Sequence, residues 1–429
     1  MRQRAQPPAL PRVPFLASLA PTLLAGTVLL AGCGESPPAV PATDAKPLVA
    51  DTAGLPIAND TAPNWGNSAA WTVGVAPSLD IGPPIQAFLG VSAPVRLSDG
   101  RIVVSNASKQ ELLYFAPTGK LLLTAGGRGI DPGQFHGLGW IGRAPGDTIV
   151  AYDFVANSIA LFDPKGRFVR SAKLAPGGGG TGLEPLASYP DGSLLVRIGG
   201  ATSPFPGKSG TVMRDSANYL RVGLDGSVVA TLGTFPQSES FGVPHSRGGT
   251  VAPFPVPYGL VTAAALRGDT LLLGTGTRFE IAAFAPSGAP VGLLRAAIPR
   301  SPVTPTEKEA FTKSAITRLR TASNMMHTAL DTTLLAALAS APFPAEKPAF
   351  GRLLVDATGA LWVSGPVTPP NPPTTWNVFA PDGAWLGSVT TPEGFRVDAI
   401  GQDAMLGVWR ATHGEERVQV YPLFRGAGS

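Results

Sequence analysis

One cysteine in 429 residues leaves nothing to cross-link, so no internal disulfide framework holds this chain together. Histidine is nearly as scarce: His136, His245, His327 and His413 stand far apart, without the spacing of a metal site. No Gly-x-Ser-x-Gly elbow occurs to carry a nucleophilic serine. Gly207-Lys208-Ser209 resembles the end of a phosphate loop, but Thr202 occupies the position of its first glycine. Gly177, Gly179 and Gly182 have dinucleotide spacing with no helix behind them. Charged residues make up only 14%. Three of the 33 Lys and Arg and none of the 29 Asp and Glu precede residue 33, which leaves 30 basic against 29 acidic residues in the remainder. That balance excludes a basic patch for nucleic acid. Nothing in the sequence calls for a metal or a cofactor.

The chain is instead rich in turn formers, with 52 Gly and 45 Pro, and 44% of it is hydrophobic. That composition fits short buried strands joined by tight turns better than helices.

The first 32 residues read as an export signal. Arg2, Arg4 and Arg12 form a positive start, and Phe15 to Leu30 is an apolar stretch too short to span a membrane comfortably. It ends in Leu30-Ala31-Gly32-Cys33, which resembles the lipobox of bacterial lipoproteins. The resemblance implies lipid attachment at Cys33. The next residue is Gly34 rather than Asp, which by analogy favours the outer membrane. Residues 33–69, with Pro37, Pro38, Pro41, Pro47 and Pro56, are expected to be a flexible tether.

Two phrases then alternate. One is a turn leading into an apolar strand, as in Ser98-Asp99-Gly100-Arg101-Ile102-Val103-Val104 and Pro190-Asp191-Gly192-Ser193-Leu194-Leu195-Val196. The other is a strand ending in a turn, as in Phe115-Ala116-Pro117-Thr118-Gly119, Phe162-Asp163-Pro164-Lys165-Gly166 and Phe379-Ala380-Pro381-Asp382-Gly383. Asp-Gly supplies positive φ for a hairpin, and in the second phrase proline presets φ while glycine takes the left-handed position. Each phrase marks a hairpin, and two successive hairpins make a four-stranded antiparallel sheet. Units near 94–125, 139–175, 186–234, 259–298 and 351–391 follow, and a sixth, from Phe395 to Leu423, has only three strands. Trp71–Ile81 is the strand-like segment left over to complete it. The expected fold is all-β: a six-bladed β-propeller over 70–425, with N- and C-terminal strands sharing the last blade. One interruption, about 304–341, reads as a helical hairpin with Thr306 as N-cap and Glu309 closing a capping box.

With Gly126-Gly127-Arg128-Gly129-Ile130-Asp131-Pro132-Gly133-Gln134-Phe135 between two units, the chain resembles six-bladed propellers of NHL/TolB-like type. The resemblance implies fold more than function, since such propellers include binding modules and enzymes. Loops that gather at one end of such a ring hold Asn106, Lys109, Arg128, Asp131, His136, Asn157, Arg278 and Arg410, the candidate ligand-binding residues. Two functions are expected. The first is a non-enzymatic cell-envelope lipoprotein, held to the membrane by its lipid and binding an envelope protein or a small molecule. The alternative is a metal-dependent hydrolase or lactonase of the gluconolactonase-like class, in which acid and amide side chains such as Asn106, Asp131 and Asn157 would hold the ion. A third reading is a structural subunit of an outer-membrane assembly.

Overall fold

The computed structural model describes residues 48–49, 54–65, 70–82, 88, 90–174, 182–199, 208–244, 251–325, 329–366, 372–411 and 415–426. Cys33, His245, His327, His413, Gly177, Gly179, Thr202 and Gly207 lie outside the described residues. The described chain is all-β with two helices, built from successive antiparallel sheets.

Antiparallel sheets follow one another along the chain. Sheet one comprises Val95–Arg96, Ile102–Asn106, Glu111–Phe115 and Leu121–Gly126. Sheet two comprises Leu138–Ala144, Thr148–Asp153, Ser158–Phe162 and Phe168–Lys173. Sheet three runs Leu183–Ser188, Leu194–Gly199, Ser216–Val222 and Val228–Pro236. Sheet four runs Ala263–Arg267, Thr270–Gly274, Glu280–Phe284 and Pro290–Ala296. Leu353–Val355, Leu361–Ser364, Thr374–Phe379 and Trp385–Thr391 form sheet five. Sheet six holds Phe395–Ile400, Ala404–Arg410 and Glu416–Phe424. Thr72–Val73 and Leu79–Ile81 pair antiparallel with that last strand, so Trp71–Ile81 does complete the sheet that ends the chain.

Turn chemistry explains the hairpins. In the turn at Asp163, the carboxylate accepts from the backbone N–H of Lys165 and of Arg167, each at 2.9 Å. Gly166 donates back to the Asp163 carbonyl at 2.9 Å with φ +76°, and the pairing register shifts beside Phe162. This is a type I turn closed by a left-handed glycine and a bulge. Middle strands are buried on both faces, as every residue of Ile102–Asn106 is, so they read as continuous apolar runs. Outer strands alternate: Trp385–Thr391 buries Trp385, Gly387, Val389 and Thr391 and leaves the intervening residues more exposed.

The buried residues form six main clusters, each shared by two sheets. Sheets one and two meet through Leu112, Tyr114, Ile149 and Phe162. Two and three meet through Val150, Leu161, Leu194 and Val222, three and four through Leu195, Tyr219, Leu271 and Phe284. Four and five share Leu272, Ile281, Leu361 and Phe379. Five and six share Trp362, Trp376, Met405 and Tyr421. Leu406, Val408 and Val418 of sheet six pack with Ile102, Val104 and Phe115 of sheet one. The Gly-Gln-Phe loop serves this packing: Phe135 donates its N–H to the Gly127 carbonyl at 2.8 Å and seats its ring between sheets one and two.

Three features depart from the expectation. The segment read as a free tether makes tertiary contacts at Leu48, Val49, Leu55, Ile57–Asp60, Asn64 and Trp65. Ile57–Asp60 pairs in parallel with Pro290–Ala296. The Asp60 carboxylate accepts from the Trp385 N–H at 2.7 Å. Trp65 sits 5.2 Å from Trp71 between ring centroids, against Gly387. An outer strand leaves backbone groups unpaired, and this segment satisfies them. Second, Val212–Met213, Ser240–Pro244 and Val251–Pro255 form a further three-stranded sheet. Third, the helices α1 (Pro305–Met325) and α2 (Thr332–Ala339) are present, but the cap is Thr304, not Thr306. Thr304 Oγ1 accepts from the Glu307 N–H at 3.3 Å and Glu307 returns to the Thr304 N–H at 3.0 Å, because Pro305 fits the first helical position.

Candidate functional site

Strand order decides which connections share an end. At the end where each first strand begins, the second strand finishes, so connections between second and third strands and between successive sheets all emerge there. Every large insertion uses that end. Val212–Met213 lies between the second and third strands of sheet three; Ser240–Pro244 and Val251–Pro255 join sheet three to four; α1 and α2 join four to five. These pieces form one cap. Phe241, Val243 and Val256 pack with Ala341 and Leu334, and Leu319 of α1 packs on Leu338 of α2. Arg214 ties the cap down, donating to the Gln237 carbonyl at 2.7 Å and to the Thr275 carbonyl, and burial lowers its pKa against the opposing charge of Glu239.

Two cavities open at this end. The first, about 210 Å³, lies between sheets five and six and is lined by Arg352, Arg396, Arg410, Trp376, Phe395 and Val408 among others. Arg352 precedes the first strand of sheet five and reaches the first strand of sheet six, donating to the Val397 carbonyl at 2.5 Å and to Asp398 at 3.3 Å. Arg396 and Asp398 are two apart on one strand and so share a face. Arg396 Nε and Nη2 each reach the Asp398 carboxylate at 3.0 Å. Arg410 is held by Glu416, whose other oxygen accepts from the Val91 N–H at 2.8 Å. The carboxylates are buried, 2% exposed for Asp398 and 3% for Glu416, whereas the three guanidinium side chains are 38–42% exposed to the cavity. Burial lowers the pKa of Arg352, with Asp398 opposing and Arg396 reinforcing. Arg318, on α1, is lowered first by burial and then by the charge of Arg410, so the cap brings a fourth cation toward this corner.

The second cavity, about 480 Å³, lies between sheets two and three, walled by Trp140, Tyr152, Phe154, Glu184, Arg197 and Gln237. Glu184 and Arg197 pair across it.

Among the residues singled out from sequence, only Arg410 lines the first cavity. Asn106 is buried and spent on its own hairpin, donating to Glu111 at 2.9 Å and accepting from Ser108 at 2.7 Å. Asp131 is exposed in the Phe135 loop, where its N–H meets Gln134 Oε1 at 3.2 Å. Asn157 sits at φ 46° and accepts from Tyr152 Oη at 3.0 Å. Arg128, His136 and Arg278 are exposed. Lys109 closes the hairpin turn, its N–H meeting the Asn106 carbonyl at 3.2 Å. Arg352 and Arg396 were missed. Arg396-Val397-Asp398, a charged pair alternating around an apolar residue inside a strand, was the signal available.

A lactonase-type propeller implies a divalent ion held by acid and amide side chains. Among the described residues no three His, Cys, Asp or Glu side chains gather, and Asn106, Asp131 and Asn157 each serve a separate turn. The described residues do not fit that ion.

No family model matches the sequence, and no curated protein matches it. Solved structures do. A gluconolactonase of Xanthomonas campestris is 14% identical over 83% of this chain and 99% of its own, with a TM-score of 0.40. Virginiamycin B lyase of Staphylococcus aureus is 12% identical over 83% and 99%, at 0.39. The calcium-binding protein regucalcin of Agrobacterium tumefaciens is 11% identical over 83% and 97%, at 0.40. These neighbours include enzymes, and the expectation of a non-enzymatic binding lipoprotein gives way to its lactonase-like alternative. At such identities the likeness concerns the fold alone.

Proposed function

We propose that this chain is a propeller enzyme of the ring-opening kind, a lactonase or a lyase, working in the capped end of the molecule. The observation that carries the reading is the cap: insertions from three separate connections converge on the end where both cavities open. A module that only docks a partner needs an accessible face. A cap beside a concave site serves chemistry, because it limits access of bulk solvent and strengthens the electrostatics next to it. In lactone hydrolysis water adds to the carbonyl and the acyl C–O bond breaks, giving a carboxylate, a hydroxyl and one released proton, and fixed guanidinium groups stabilise the negative charge as it develops.

The scaffold belongs to the same proposal. The six sheets close into a six-bladed ring of NHL-like type. The packing of sheet six against sheet one and the seating of Phe135 support this. Export and lipid attachment at Cys33 hold the enzyme at the cell envelope.

The test is proton release from a panel of five- and six-membered sugar and aromatic lactones, with and without added calcium or zinc. At least one lactone is expected to open about a thousandfold or more above its spontaneous rate. No acceleration for any of them, with or without metal, overturns the reading.

A further inference from the structure

We infer that the cavity between sheets five and six is a binding site for a small organic monocarboxylate with an apolar body. The inference deepens the proposed function, and rests on it only in taking the capped end as the working face.

Three guanidinium groups in one small cavity repel one another, and simple packing gives no reason to gather them. Each is clamped along one edge. Arg352 is fixed by the Val397 carbonyl and Asp398, Arg396 by Asp398, and Arg410 by Glu416. Among the described residues, Arg352 Nε, Arg396 Nη1 and Arg410 Nη1 make no hydrogen bond. Buried carboxylates therefore set the orientation of the cations and leave donors over for something else. The three lining arginines outnumber Asp398 and Glu416, and Arg318 on α1 adds to the excess, so the wall carries net positive charge that an anion offsets. The fork of donors matches a carboxylate in the way an ammonium does not.

The remaining wall narrows the class. Trp376, Phe395 and Val408 supply apolar surface beside the arginines. Inorganic anions have nothing to place there; an aryl or alkyl acid does. A volume of about 210 Å³ admits a compact acid and is below the range of drug-sized pockets.

The experiment is calorimetric titration of the purified full chain with benzoate, methyl benzoate and inorganic sulfate. Benzoate is expected to bind, and its uncharged ester and sulfate to bind at least about tenfold more weakly, the worth of one charge-assisted contact. Equal binding of sulfate, or of the ester, overturns the inference. Arg396→Gln alone would strand Asp398, so the second arm is Arg396→Gln with Asp398→Asn, which removes both charges and keeps the shape. A folded double variant should lose benzoate affinity by tenfold or more, and unchanged affinity contradicts the site. The wild-type comparison stands whether or not that variant folds. Benzoate binding without lactone opening supports this site and removes the enzymatic reading; lactone opening without benzoate binding does the reverse.

Discussion

Single carboxylates do two jobs in this molecule, and Asp356 illustrates the first. Its Oδ1 accepts from the Thr358 and Ala360 N–H groups at 2.8 and 3.0 Å, which closes a hairpin turn. Its Oδ2 accepts from Trp362 Nε1 at 2.8 Å and meets Arg425 at 2.8 Å, which ties that turn to a fully buried indole and to the residue that follows the last described strand. Burial alone would raise its pKa; hydrogen bonds from Thr358 and Trp362 and the charge of Arg425 outweigh it and hold the value below 3.8. A depressed folded value stabilises the fold above the ordinary carboxylate pKa and loses that contribution as pH falls through the folded value. Asp356→Asn would turn an amide N–H toward two donors, at a cost of about 1–3 kcal/mol near neutral pH. The difference from wild type in urea midpoint should shrink below pH 3.8. A gap that stays constant from pH 7 to 3 would mean that the ionised carboxylate contributes nothing. Asp398 and Glu416 do the second job, orienting arginines rather than turns.

At the scale of elements, the hairpins were readable because their chemistry is local. Asp, Gly and Pro fix a turn within five residues, and the turn positions announce the strands between them. The helical hairpin was readable for the same reason, with a two-residue error: Glu307 and Glu309 both offer a capping partner, and Pro305 decides in favour of Thr304. Segments whose structure depends on distant partners were not readable. Ile57–Asp60 carries no strand signal of its own and is ordered by the free edge of Pro290–Ala296. Ser240–Pro244 and Val251–Pro255 gain their order from packing on α2. The belt formed by residues 54–65 has a measurable consequence. Deleting them removes four parallel register positions and uncovers Trp71, and the melting temperature should fall by several degrees. An unchanged melting temperature would show that the segment is the free tether its composition implied.

At the scale of the whole molecule, a repeat of weak local phrases specifies a regular scaffold, and the working end is built from what interrupts the repeat. That division explains why the sequence revealed the sheets and not the site. Arg352, Arg396 and Arg410 stand 44 and 14 residues apart in the sequence, in two different sheets, and come together only when sheet five packs on sheet six. No local spacing encodes that meeting. The most direct measurement is the anomalous diffraction of a crystal soaked in para-bromobenzoate, which locates the bromine and the carboxylate of one molecule at once. The predicted result is a bromine peak beside Trp376 and Phe395, with the carboxylate on Arg352, Arg396 and Arg410. Bromine found only on the outer surface, with the arginine cavity empty, would contradict it.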